Sequence, residues 1–418
     1  MRERNWAGNV VYGARRLHNP ASVEALQELV AAAPRIRALG SRHSFNAIAD
    51  SSELVSLRSL PSELVVDRTA GTASCGAGLT YGELARELHA KGLALANLGS
   101  LPHISVGGSV ATATHGSGDR NGNLATAVAG LELVTSSGEL IARRRGDRDF
   151  DGLVVGLGAL GVLTRITLDV EPAYEVSQSV YEDLSWRSLD THFDEITAAG
   201  YSVSVFTRWG DPAGQLWVKR RVVDLAATEP EQLFGARAAT QPLHPIAGRD
   251  PAAATLQLAT AGPWHERLPH FRLEFIPSVG SELQSEYLLP RRHARAAIEA
   301  VRRLAPRIRP LLHTSEIRTV AADELWMSPQ YGRDSVAFHF TWRRDQRRVE
   351  RLLAELEAVL APFAPRPHWG KVFVADAAAI TPRYERFADF AALVARLDPR
   401  HAFHNDWLES RLLGPPSR

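Results

Sequence analysis

The sequence predicts an α+β protein of two domains with a C-terminal segment that returns to the first. Three observations carry this. At 418 residues the chain exceeds what one hydrophobic core ordinarily supports. Short strand and helix patterns alternate up to Glu171-Pro172, where the pattern changes. Beyond that pair lie period-two strands and a Pro/Ala/Gly-rich stretch over 240–262. The expected division is 1–172, 173–375 and 376–418.

Each element has a local reason. Residues 35–39 are a short apolar strand ending at Gly40. Residues 64–67 and 72–75 flank a turn for which Gly71 supplies backbone freedom. Thr80-Tyr81-Gly82-Glu83 is a capping box, and its helix carries Leu84, Ala85 and Leu88 on one face before stopping near Gly92. Residues 131–135 and 139–142 form a hairpin around Ser136-Ser137-Gly138. Gly156-Leu157-Gly158-Ala159-Leu160-Gly161 matches a dinucleotide fingerprint, but that motif needs a helix next. Here Val162, Thr164, Ile166, Leu168 and Val170 alternate with Leu163, Arg165, Thr167 and Asp169, which is a strand and argues against a Rossmann domain. Strands are expected over 201–207 and 216–222, a strong helix over 343–360, and helix again from Asp376.

Composition excludes several classes of function. Lys and Arg total 48 against 47 Asp and Glu, so no net field draws nucleic acid or an anionic membrane. The basic stretch 291–309 reads as a solvated helix face. A single cysteine, Cys75, rules out an internal disulfide. No apolar run approaches a membrane span, and the start Met1-Arg2-Glu3-Arg4-Asn5-Trp6 lacks the apolar core of a signal peptide. A cytoplasmic monomer is the expectation. Only three lysines occur, Lys91, Lys219 and Lys371, among 45 arginines, so a lysine beside other polar residues stands out.

Two segments carry the first chemistry. Gly40-Ser41-Arg42-His43-Ser44-Phe45-Asn46 and Ser105-Val106-Gly107-Gly108-Ser109-Val110-Ala111-Thr112-Ala113-Thr114-His115-Gly116-Ser117-Gly118 are too rich in Gly to be helix or strand interior throughout. In the second, His115 is the only ionisable side chain, yet five hydroxyls and many amides are present. Converging amide dipoles of this kind hold a pyrophosphate without a cation. These segments resemble the flavin-binding domain of the vanillyl-alcohol oxidase superfamily, and within it the alditol oxidase branch, with likeness running from Asn5-Trp6-Ala7-Gly8-Asn9 to His404-Asn405.

The resemblance implies a two-domain flavoprotein: an N-terminal FAD-binding domain of the vanillyl-alcohol oxidase (PCMH) type, then a substrate or cap domain with an antiparallel sheet flanked by helices. It implies FAD bonded covalently to His43. Gly40, Ser41, Arg42, Ser44, Ser100, Ser105, Gly108, Thr112, Ala113, Thr114, His115 and Leu163 are implied as further cofactor contacts. Arg42 departs from the small residue common beside that histidine. Gly99, beside the ring system, would leave O2 a path and so favours an oxidase, although Gly can equally serve the local turn.

Three strand-like segments carry the substrate side. Glu316 and Arg318 in Leu312-His313-Thr314-Ser315-Glu316-Ile317-Arg318-Thr319-Val320 share a face, about 6–7 Å apart. His339 and Thr341 share a face in Val336-Ala337-Phe338-His339-Phe340-Thr341-Trp342, opposite an apolar core face. Lys371 stands among apolar neighbours in Trp369-Gly370-Lys371-Val372-Phe373. Such a set needs mutual pairing or a ligand, because buried unpaired charge costs several kcal/mol; pattern alone allows either. By resemblance, Glu316, Arg318, Thr341, Lys371 and Ser100 bind a linear polyol, with His339 beside them. The implied reaction is hydride transfer from a terminal CH2OH of alditols such as xylitol or sorbitol to the flavin, with O2 reduced to H2O2. Arg318 and Lys371 would steady the oxyanion, Glu316 would orient a hydroxyl, and Lys371 or His339 would take the proton. The competing expectations are an aldonolactone oxidoreductase, a polyol dehydrogenase using another acceptor, and a non-catalytic flavin- or sugar-binding protein. No metal is expected, because His401 and His404 lack a third ligand at suitable spacing.

Overall fold

A computed structural model describes residues 3–224, 230–275 and 282–414. The outer ends of the first and last expected segments, and parts of the middle one, lie outside those residues. Two strand systems dominate. Before Glu171 a five-stranded sheet runs in the order Val65–Asp67, Thr72–Gly76, Val162–Asp169, Val128–Val134, Leu140–Arg144, all antiparallel. A small parallel sheet places Glu53–Val55 between Arg16–His18 and Ile36–Ala38. After Glu171 the described residues form a ten-stranded antiparallel sheet, with Ser202–Thr207, Leu312–Val320, Ser335–Arg343 and Glu282–Pro290 adjacent in that order. The fold is α+β with this two-part layout, as expected. No helix among the described residues is long and apolar enough to cross a membrane.

Local chemistry accounts for the first part. The capping box forms: Thr80 Oγ1 accepts from the Glu83 amide and the Glu83 carboxylate accepts from the Thr80 amide, starting the helix Tyr81–Ala90. The fingerprint-like run leads into the strand Val162–Asp169, whose residues alternate buried and half-buried. The second Gly-rich segment contains one helix that its composition hides, Val106–Ala111. Close packing explains the glycine there: a Cβ at Gly107 would sit 3.0 Å from the Ala77 carbonyl oxygen. Glu171-Pro172 pairs with Leu93–Ala94 and so ties the boundary back to the first part.

In the second part the sheet has a dry face and a polar one. Val336, Phe338, Phe340 and Trp342 are fully buried, and they share a core with Val349, Leu352, Leu353 and Leu356 of the helix Gln346–Leu360. That helix begins later than the expected 343, because Arg343 ends the strand Ser335–Arg343 and Asp345 caps the Arg348 amide. The chain then runs back to the first part. Ile36 donates its amide to Ala402, and Asn405 Nδ2 reaches the carbonyls of Ala47, Ile48 and Asp50.

Candidate active site

The polar face of the large sheet is built by register. Glu286, His339 and Glu316 stand side by side on three neighbouring strands; one row away stand Gln284, Thr341 and Thr314. Lys371 is not on a strand, contrary to expectation. Its neighbours His368 and Val372 donate their amides to Glu286 and Gln284, while residues 369–371 loop out between them. This excursion thrusts Lys371 over the sheet. The loop is held by the first Gly-rich segment: Phe45 donates its amide to Gly370 O, and Asn46 Nδ2 reaches the carbonyls of Trp369 and Lys371.

The side chains form a continuous chain of contacts. Arg318 donates to Glu286 Oε1 at 2.9 Å, lies 3.4 Å from Glu316 Oε2, and reaches Ser100 Oγ at 3.2 Å. Lys371 Nζ lies 2.5 Å from Glu286 Oε2 and 2.8 Å from His339 Nδ1. His339 Nε2 meets Thr341 Oγ1 at 3.1 Å. Glu316 Oε1 accepts from Ser204 Oγ at 2.7 Å and meets His270 Nε2 at 3.0 Å.

Burial sets the electrostatics. It pushes the Glu286 and Glu316 carboxyls up, but their hydrogen-bonded and charged partners overcome it. Arg318 and Lys371 hold Glu286 well below the usual range, and Arg318 with His270 does the same for Glu316. For His339, burial and then Lys371 lower the imidazole to about 4, so the ring is neutral. Burial also lowers Lys371, partly offset by Glu286.

Sequence reasoning missed Glu286, the carboxylate at the centre of this network. The signal was present: Gln284 and Glu286 alternate with Leu283, Ser285 and Tyr287, the same period-two pattern that picks out Glu316 and Arg318. It also missed His270 and Lys219. The buried Lys219 Nζ donates to the carbonyls of Arg267, Leu268 and Pro269 and so fixes the turn that presents His270.

A cavity of about 490 Å³ connects this network to both Gly-rich segments. Gly40, Ser41, Arg42, His43, Ser44, Ser100, Ser105, Gly108, Thr112, Thr114, His115 and Leu163 line it, as do Glu316, Arg318, His339, Thr341 and Lys371. Ala113 and Gly99 do not. Ala113 is fully buried at φ +52°, and a Cβ on Gly99 would make ordinary contact with Ile104 and Thr114. Arg42 pairs with Glu3 at 2.9 Å and adopts φ +65°. The two Gly-rich segments interlock: Ser105 donates its amide to Ser41 Oγ at 3.0 Å, and a Cβ at Gly40 would lie 2.4 Å from Ser105 Oγ.

The residues present fit a flavin dinucleotide. A hydroxyl- and amide-rich cradle crowded by its own glycines lies at one end, and a charge-balanced polar wall lies at the other. Between them His43 stacks on Trp6, and its buried Nδ1 has no hydrogen-bond partner among the described residues. Burial lowers that imidazole to about 4, leaving it neutral. His115, Glu286 and His368 also bring donor atoms within 4.8 Å of one another. The Glu286 oxygens are taken by Arg318 and Lys371, whose charges oppose a third cation, so this trio reads as part of the polar network.

Comparisons with known proteins speak to the family and the fold. Residues 14–142 match a family model described as FAD binding domain, and 279–411 match one for D-arabinono-1,4-lactone oxidase. An alditol oxidase of a Streptomyces species is 51% identical over 98% of this chain and 99% of its own. An L-gulono-1,4-lactone dehydrogenase of Mycobacterium tuberculosis is 29% identical over 98% and 99%. Cholesterol oxidase from Brevibacterium sterolicum shares the fold, with a TM-score of 0.80 over 99% of this chain and 96% of its own at 17% identity.

Proposed function

The chain belongs to the alditol oxidase family, and from that premise we propose that its polar cleft oxidises the terminal hydroxyl of linear alditols such as xylitol and sorbitol to the aldose. FAD supplies the chemistry when bound: it accepts a hydride and passes two electrons to O2, which leaves as H2O2. The observation that carries this reading is the contact chain Glu316–Arg318–Glu286–Lys371–His339–Thr341 at the end of the cavity. A polyol carries a hydroxyl on every carbon, and a wall that bonds hydroxyls discriminates strongly against analogues lacking them.

Each residue has a task. Arg318, charged and buried, steadies the oxygen as its proton leaves. Glu316 Oε1 is occupied by Ser204 and His270, which aims the carboxylate to accept from a substrate hydroxyl. The proton passes through Thr341 Oγ1 to His339 Nε2 while the Nδ1 proton of His339 moves to Lys371 Nζ, the final acceptor. Ser100, bonded to Arg318, contributes a further hydroxyl contact. His43 holds FAD covalently through its unpartnered Nδ1.

Oxygen uptake and H2O2 release with xylitol, sorbitol and gulono-1,4-lactone test the reaction. Turnover with the alditols and O2 is expected; turnover with the lactone alone, or only with an artificial dye, refutes the reading. Intact mass tests the tether, which fails if the denatured polypeptide carries no flavin mass.

A further inference from the structure

The relay above ends on a lysine, and a buried lysine is a poor place to leave a proton unless something holds it. Lys371 is faced by Glu286 from the strand Glu282–Pro290, by Glu316 and Arg318 from Leu312–Val320, and by His339 from Ser335–Arg343, with His115 and His368 from the flanking loops. Among these the only group within hydrogen-bond reach that carries negative charge is Glu286, 2.5 Å away. That carboxylate is fully buried and is fixed from its other oxygen by Arg318 at 2.9 and 3.3 Å, with His115 Nε2 at 3.4 Å. It sits directly across the ladder from His339. One side chain therefore touches both halves of the relay, and it is not among the residues that line the cavity.

We propose that Glu286 is a positioning residue for the reaction: it fixes the Lys371 amine against His339 Nδ1 and stabilises the proton that the substrate hydroxyl gives up. This rests on Lys371 being the final acceptor. The balance is simple. The hydroxyl loses its proton to the relay, the Nδ1–H bond of His339 breaks as the new N–H bond forms on Lys371, and the C–H pair leaves as hydride to bound FAD. The charge count supports it. With neutral histidines, Glu286 and Glu316 balance Arg318 and protonated Lys371. Without Glu286, the protonated relay carries an excess positive charge beside Arg318 in a buried site. Burial lowers Lys371, and Glu286 is the largest influence raising it again.

The test is the pH dependence of kcat/KM for xylitol in holoenzyme carrying Glu286→Gln, with Glu286→Asp as the second variant. Lys371 must be neutral to accept, so its ionisation sets the acid limb of the wild-type profile. Removing the carboxylate makes that proton easier to lose, so the limb moves to lower pH, by about one unit or more. The plateau kcat falls at least about tenfold, since the weaker base is also misaligned, while KM changes less than about threefold. Glu286→Asp keeps the charge at greater range and moves the limb in the same direction by less. If Glu286→Gln does not retain flavin or the wild-type melting temperature, the Asp variant decides alone. An acid limb that stays in place in either folded variant overturns the proposal. Lys371→Met separates the two levels. If its residual rate keeps the wild-type limb, Lys371 is not the acceptor. If the limb is gone there yet unmoved in Glu286→Gln, only the role of Glu286 falls.

Discussion

Replacing Arg318 by Met tests whether the polar wall is held together by charge. In the folded protein the guanidinium is buried between two buried carboxylates, Glu286 at 2.9 Å and Glu316 at 3.4 Å. Both carboxyls are depressed below their unfolded values despite burial. They therefore contribute stability above the unfolded carboxylate range, and that contribution is lost as pH falls through the depressed values. Arg318→Met leaves two buried charges, one of them still paired with Lys371. Breaking a buried pair costs about 3–5 kcal/mol. With an unfolding entropy of about 2.1 cal/mol/K per residue, that lowers the melting temperature by about 3–6 °C at neutral pH. The sign of the pH dependence then inverts for the freed carboxylate. With Arg318 gone and only His270 and His339 left to oppose it, burial raises this carboxyl, so the variant recovers stability relative to wild type as pH falls and the proton binds. Thermal melting of both proteins from neutral pH down through the carboxylate range measures this. The gap should be widest at neutral pH and should narrow as pH falls. A gap independent of pH, or none, would refute the charge-balance account.

Three further outcomes follow. Gly40→Ala places a methyl 2.4 Å from Ser105 Oγ and pushes apart the two cofactor segments, so purified protein should lose most of its flavin absorbance while its far-ultraviolet spectrum stays close to wild type. Lys219→Met leaves three carbonyls at the turn before His270 without their donor. Thermal stability should fall by about 1–3 kcal/mol, with a rise in KM for xylitol because His270 no longer braces Glu316. Gln284 and Thr314 line the cavity on either side of Thr341. Thr314→Val should lower kcat/KM for sorbitol and glycerol alike, by about tenfold or less, since every substrate brings its reacting hydroxyl to Thr341 in that row; a loss confined to sorbitol would contradict the placement.

Much of this was legible in the sequence because the determining signals are local. A hydroxyl, a glycine and a glutamate in order specify the capping box at Thr80. Period-two alternation after Gly161 excludes a Rossmann helix. Glu316 with Arg318, and His339 with Thr341, announce themselves by sharing a strand face against a core-facing partner row. What stayed hidden depends on partners distant in sequence. Glu286 has the same alternation, but its meaning comes from register with His339 and from Lys371, 85 residues further on. Lys371 sits in a loop because the residues on either side of it use the neighbouring strand's carbonyls while Phe45 and Asn46 pull the excursion out. Arg343 reads as a helix start until the ladder claims its amide for Leu311. The positive φ of Arg42 and Ala113 is a backbone constraint that a side-chain pattern does not reveal.

The most direct measurement is anaerobic mixing of the holoenzyme with xylitol, unlabelled and deuterated at its terminal carbons, while the flavin absorbance is followed. Bleaching by both, markedly slower with the deuterated sugar alcohol, is the predicted result, because the bond broken is the terminal C–H. A spectrum that xylitol never bleaches, or bleaching at one rate regardless of deuterium, would contradict hydride transfer from an alditol at this site.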